Sequence, residues 1–322
     1  MTRLQLERWQ VAVYAVAIAA GCAVGWWLPE LGPVMERALW PVLAGLLYVT
    51  FVQVPLDHLA DAVRDRRFLG ALLVTNFLIV PALVWLLARV LPGNGALVLG
   101  VYLVLLVPCT DWYVSFTLLG GGDARRATAS TPALLLAQMV ALPAYLWLFM
   151  GREFTGLVRA GAFVEAFFGL IATPLLMALA TEWAAHRSEL VARWRVASAW
   201  WPVPMLAAVV FLIAGAQVRE VADAAGQLGA ATLVFVVYAG VIPFVARWVG
   251  RRYRLDVPAQ RTLVFSAGTR NSFVVLPFAL ALPAEWRLAV AVVVLQSVVE
   301  LVAMVIYLWW VPRRLLPERA PS

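Results

Sequence analysis

The sequence predicts an all-α membrane protein with ten transmembrane helices in two inverted five-helix repeats, helices 4 and 9 being broken and crossed. Three observations predict it. The 322 residues are 64% apolar and only 13% charged, against about 45–50% apolar and about 25% charged in soluble domains. The chain reads as ten apolar stretches, each near the roughly 20 residues that a spanning helix needs. Two of those stretches carry matched polar interruptions, Pro108-Cys109-Thr110-Asp111 and Gly268-Thr269-Arg270-Asn271.

In order, the spans run Gln10–Leu28, Ala38–Pro55, Phe68–Leu91, Ala96–Leu119, Thr128–Met150, Val164–Ala184, Ala199–Val218, Leu228–Gly250, Gln260–Leu282 and Glu285–Val311. Trp26, Trp27, Trp147, Trp200, Trp201, Trp309 and Trp310 gather at span ends, as in an interfacial aromatic belt. Arg3, Glu7 and Arg8 lead straight into the first span, so no separate signal peptide is expected. The whole of 1–322 reads as one transporter domain, with repeats over about 10–150 and 164–311.

The net charge of +7 comes entirely from arginine, since the 25 basic residues include no lysine. With the N-terminus inside, 17 arginines fall on inner segments, 6 on outer ones, and Arg247 and Arg270 lie within spans. That bias predicts a cell (inner) membrane protein with both termini cytoplasmic. Basic residues confined to short loops set orientation, so no nucleic-acid partner is expected. His58 and His186 lie in loops. Cys22 and Cys109 lie in spans, without metal-site spacing. Neither a metal nor a cofactor is expected, and the sequence leaves the oligomeric state open.

Five spans per half is an odd number, so a repeat must enter the membrane in opposite senses. Internal matches support this. Val80-Pro81 pairs with Ile242-Pro243, Cys109-Thr110-Asp111 with Gly268-Thr269-Arg270, and the segment ending in Gln138 with that ending in Gln296. Pro108 removes a backbone donor, and Gly268 weakens a helix by roughly 1 kcal/mol relative to alanine. Broken helices survive in a membrane only where protein or a wet cavity surrounds the freed backbone.

Charges at this depth mark a functional site by default. Asp111 and Arg270 fall at equivalent places in the repeats and are expected to meet. They serve either as a structural pair pinning the crossing or as substrate or coupling groups. Cys109 is either a packed small residue or a soft thiolate ligand. Thr110 and Asn271 complete the candidate substrate contacts. Gln138 and Gln296 are candidate caps of the broken helices or interhelical bonds. Glu300 is the other intramembrane carboxylate, a proton carrier or an arginine partner, and Gln53, Asn76 and Thr173 are further polar residues within spans.

At these residues the chain resembles the bile acid:sodium symporter superfamily, and within it the arsenical-resistance permeases that export arsenite. Pro108-Cys109-Thr110 is similar to the permeases' Pro-Cys-Thr, whose cysteine is associated with arsenite transport. Phe265 to Ser272 is similar to the symporters' ninth-helix Phe-Glu-Thr-Gly-Met-Gln-Asn-Ser. The departures bear on coupling. The symporters' sodium-binding Glu falls on Ser266 and their Gln on Arg270. The Ser-Asn pair of their fourth helix falls on Tyr113 and Val114, and the permeases' ninth-helix Glu on Val274. The resemblance implies a secondary carrier in the lipid bilayer. Its substrate would be arsenite or a related trivalent metalloid, exchanged for protons, with Cys109 as thiol contact. The departures point to Arg270 in place of the coupling cation, hence to transport without sodium, and leave Asp111 or Glu300 as the candidate coupling group. A crossed-helix core would rock against the remaining helices. The alternative is an organic-anion carrier, in which Arg270 holds a carboxylate through a bidentate fork.

An enzyme is not expected. The chain lacks lysine, intramembrane histidine and HExxH. Gly120-Gly121-Gly122-Asp123 is a turn rather than a phosphate loop, because no GK[ST] follows.

Overall fold

A computed structural model describes residues 3–54, 64–110, 112–151, 155–156, 168–223 and 225–318. Among these residues there is no strand, and the regular elements are helices. In order they are α1 (Arg3–Trp27), α2 (Gly32–Val52), α3 (Arg66–Ala88), α4 (Gly95–Leu105), α5 (Trp112–Leu119), α6 (Ala124–Met150) and α7 (Thr173–Ala185). Then follow α8 (Glu189–Ser198), α9 (Pro202–Asp223), α10 (Ala225–Arg252), α11 (Val257–Gly268), α12 (Ser272–Leu280) and α13 (Leu288–Trp310). A π turn, Thr75–Ile79, interrupts α3, and another, Val311–Leu315, extends α13.

Of the ten spans the sequence predicts, six coincide with helices long and apolar enough to cross a membrane: α2, α3, α6, α9, α10 and α13. Shorter apolar segments occupy Ala12–Trp27 and Gly95–Leu105. The fourth and ninth stretches each divide into two helices, α4 with α5 and α11 with α12, at the predicted interruptions. The polar helix α8 is not anticipated by the apolar pattern. Prolines alone do not divide a helix here: Pro132 and Pro143 lie inside α6, and Pro243 inside α10.

The chain forms two compact units. The first comprises Met1–Val54, Leu157–Gly226 and Leu276–Ala284. In it α1 packs on α9 through small residues. A Cβ at Gly21 would strike the Phe211 carbonyl, and one at Gly25 the backbone of Gly215. Its polar residues hold helices together. Gln53 donates to Ser198 Oγ at 2.9 Å, and Arg195 pairs with Glu182 at 3.1 Å.

The second unit comprises Pro55–Gly156, Gln227–Val275 and Glu285–Ser322. Aspartates cap three of its helices, as the orphan N–H groups of a first turn require. Asp65 accepts from Phe68 N, Asp123 from Arg126 N and Asp256 from Ala259 N. All three carboxylates also reach the Arg126 guanidinium, at 2.9, 3.4 and 2.8 Å. One cation thus gathers three helix starts. Gly121 takes φ +67° in the turn before α6, and its carbonyl accepts from Arg261 at 2.9 Å. Arg261, which the sequence places among inner-loop arginines, is 3% exposed within α11 and also donates to the Leu316 carbonyl.

Candidate functional site

The two interruptions lie side by side. Pro108 and Arg270 form an antiparallel bridge, closed by Cys109 N–H to the Thr269 carbonyl at 3.3 Å and Asn271 N–H to the Val107 carbonyl at 2.9 Å. Backbone groups freed by each break therefore find partners on the other, as a buried break requires. The two bonds are reciprocal. They match each residue of the first break with the residue 162 positions later.

The same spacing recurs through the second unit. Asn94 and Asp256 cap α4 and α11. Pro81 and Pro243 lie within α3 and α10, and proline cannot bond the carbonyl four residues back. Those two carbonyls, of Phe77 and Ala239, accept from the hydroxyls of Tyr145 and Tyr307. The caps after the breaks match as well. Cys109 Sγ accepts from Trp112 N–H at 3.3 Å, and Asn271 Oδ1 from Val274 N–H at 3.1 Å.

This register corrects the sequence matches. Residue likeness aligns Asp111 with Arg270 and Gln138 with Gln296. The bonds instead match Arg270 with Pro108, Asn271 with Cys109 and Glu300 with Gln138. Asp111 itself lies outside the described residues, as does His58. Gly268 ends α11 at the break, and a Cβ there would lie 2.7 Å from the Tyr307 ring. The position needs space for α13.

Arg270 is 2% exposed. Nη2 donates to Asn76 Oδ1 at 2.8 Å and to the carbonyls of Ser266 and Ala267 at 2.7 and 2.9 Å, and Nη1 reaches the Leu105 carbonyl at 3.4 Å. Leu105 closes α4, and Ser266 and Ala267 lie in the last turn of α11. The guanidinium therefore caps the C-terminal ends of two half-helices, where partial negative charge collects. Among the described residues its side-chain acceptors are neutral. Asn76, noted in the sequence only as a polar residue, is held by Leu72 O and Ser266 Oγ at 3.1 and 3.2 Å. The Tyr238 ring lies 5.9 Å from the guanidinium carbon.

A bonded chain runs along the second break. Arg270 N–H donates to Glu300 Oε2 at 2.8 Å, Gln296 Nε2 to the same oxygen at 2.6 Å, and Ser272 Oγ to Gln296 Oε1 at 2.7 Å. Gln296 thus reaches the start of α12, and Glu300 meets Arg270 through its backbone. The first break differs. Gln138 and Thr110, each 2% exposed, leave both amide atoms and the hydroxyl without partners among the described residues. Asn271 Nδ2 and Arg270 Nε are also buried without a partner. Cys109 is 4% exposed. Tyr113, at the first position of the symporters' Ser-Asn pair, is fully buried, with its hydroxyl bonded to the Ala127 carbonyl and, at 2.7 Å, to Ser130 Oγ.

Among the described residues no cluster of three or more His, Cys, Asp or Glu side chains could hold a metal ion. No curated protein matches the chain. A family model described as Sodium Bile acid symporter family matches residues 40–224. With that match spanning more than half its length, the chain belongs to the sodium bile acid symporter family, whose members are membrane transporters rather than enzymes.

Proposed function

We propose that the chain is a sodium-independent secondary transporter that exports arsenite or a related trivalent metalloid in exchange for protons. The observation that carries the sodium-independent part is the Arg270 guanidinium on the carbonyls of Leu105, Ser266 and Ala267. Converging helix-end carbonyls are what a hard cation seeks, and a tethered cation already holds these. Ser266 stands where the symporters place a carboxylate. The Tyr113 hydroxyl bonds Ala127 and Ser130 where they place a Ser-Asn pair. Neither position offers the oxygen-rich, negative set that sodium requires.

Cys109 supports the metalloid reading. It is a soft ligand at the start of α5, buried beside the backbone bridge. One thiol holds a thiophilic cargo weakly enough for release. Glu300 is the described carboxyl nearest in bonding to that bridge, through Arg270 N–H, and is the proposed proton carrier. Asp111 remains a proposed second coupling group. The matches at a spacing of 162 support a ten-helix inverted repeat, the design for alternating access. Both termini are proposed to lie on the cytoplasmic side. For an organic anion, by contrast, Arg270 has fewer donors to offer: Nη2 is committed to three acceptors and Nη1 reaches the Leu105 carbonyl, which leaves Nε and one N–H of Nη1.

Everted vesicles test this reading. Arsenite and small carboxylates are compared under separate proton and sodium gradients. Arsenite uptake driven by protons, indifferent to sodium and lost in Cys109→Ser, is the expected result. Serine retains an acceptor for Trp112 N–H, so that variant isolates the sulfur. Uptake driven by sodium, or arsenite transport unchanged without the thiol, overturns it.

A further inference from the structure

The chain of bonds along the second break has a counterpart 162 residues earlier. Arg270, Glu300, Gln296 and Ser272 correspond to Pro108, Gln138, Leu134 and Thr110. Two members of the earlier set cannot bond. Proline has no N–H to give Gln138, and leucine has no amide to link Gln138 to Thr110. The two polar members remain, buried to 2% exposure, with three open atoms: Gln138 Nε2, Gln138 Oε1 and Thr110 Oγ1. Buried polar atoms are otherwise almost always bonded, and leaving them open is costly. Leu134 is fully buried beside them in the matched register.

We propose that Gln138 and Thr110 are substrate contacts, and that the species they take is small, uncharged and hydroxyl-bearing: the undissociated trihydroxide of the metalloid rather than its anion. The inference rests on the transport reading above and names the form of the cargo. The open amide offers donors at Nε2 and an acceptor at Oε1, and the threonine hydroxyl offers both. Ligand O–H groups donate and accept in the same way. The singly ionised form keeps two O–H groups but exchanges the third for an oxygen that only accepts, which leaves one donor fewer for Gln138 Oε1 and Thr110 Oγ1. The metalloid centre would meet Cys109 Sγ while its hydroxyls replace the bonds that Pro108 and Leu134 cannot make.

Boric acid is the discriminating probe, because it is an uncharged trihydroxide with no affinity for thiols. Calorimetric titration of the purified full-length protein is expected to show boric acid binding, weakened about tenfold in Gln138→Leu and in Thr110→Val, the loss of one neutral hydrogen bond. Arsenite transport in proteoliposomes falls in the same variants. The melting temperature of Gln138→Leu is expected to equal or exceed that of the parent, since leucine removes an unsatisfied amide. Failure of boric acid to bind, unchanged arsenite transport in both variants, or a lowered melting temperature in Gln138→Leu overturns the inference. If boric acid binds through Gln138 but arsenite is not transported, the metalloid reading falls and the uncharged-solute site stands. If arsenite transport depends on Cys109 but not on Gln138, the reverse holds.

Discussion

The two breaks have the same backbone and opposite polar economies. At Thr269–Asn271 the polar groups form a connected set, with Arg270 across two helix ends, Glu300 on Arg270 N–H, and Gln296 on Glu300 and Ser272, while Arg270 Nε and Asn271 Nδ2 stay open. At Val107–Thr110 the equivalent residues leave Gln138 and Thr110 open. The whole difference follows from a few side chains, chiefly proline against arginine and leucine against glutamine. Two breaks joined by matching backbone bonds can therefore differ in their side chains, one tied into a network and the other left with open polar atoms. The open break carries a polar cost that the bonded break largely avoids.

The largest expected effect is at Arg270. Arg270→Gln removes the guanidinium from three helix-end carbonyls and Asn76, and breaking a buried charged network typically costs about 3–5 kcal/mol. Unfolding in mixed micelles should show that loss, partly restored by sodium chloride over potassium chloride. Equal stability in the two salts would mean that the carbonyls do not form a cation site. Glu300→Leu comes next, because Arg270 N–H and Gln296 Nε2 lose their shared acceptor, at about 1–3 kcal/mol for each unsatisfied group. Glu300→Gln keeps an acceptor. It should leave unfolding nearly unchanged while abolishing the pH dependence of exchange, and retained pH dependence would move the proton elsewhere.

Pro108→Ala addresses the comparison directly by giving the open break the N–H that its partner has. Gln138 gains a donor, and stability should rise by about 0.5–1.5 kcal/mol while transport slows. A faster carrier would show that the open amide serves no substrate. The smallest effects test the register itself. Tyr145→Phe and Tyr307→Phe each strip the hydroxyl from a carbonyl freed by proline. Each should cost about 1 kcal/mol, and the two losses should be alike. Clearly unequal losses would break the equivalence of the two halves.

Much of the architecture is legible in the residues. Apolar runs place the helices, and Pro108 and Gly268 place the breaks. Proline is not sufficient evidence by itself, since Pro132, Pro143 and Pro243 lie within continuous helices. What distinguishes Pro108 is a second break to pair with. The register was not legible. Likeness matches Thr110 with Thr269 and Gln138 with Gln296, spacings of 159 and 158, whereas the reciprocal bonds require 162. In so apolar a chain many alignments score alike, and only hydrogen-bond geometry separates them. Pro81 and Pro243 were the one match already at the right spacing. Arg261 illustrates the converse: next to a loop in sequence, it is buried by the carbonyl it meets at Leu316. The small residues Gly21 and Gly25, one turn apart, were a readable sign of close helix packing.

The sequence by itself determined a helical membrane protein, the sites of two broken helices, and an arginine and a thiol at those sites. These follow from local causes: apolar surface that lipid alone will accept, and backbone donors that proline removes. Only the tertiary structure decided what each polar group is for. Arg270 became a clasp on two helix ends, Glu300 its backbone partner, and Gln138 an amide with nothing to bond. Arg270 meets Leu105 and Asn76 across 165 and 194 positions, and Glu300 reaches its N–H across 30, so these bonds depend on how separate helices pack and not on local preference.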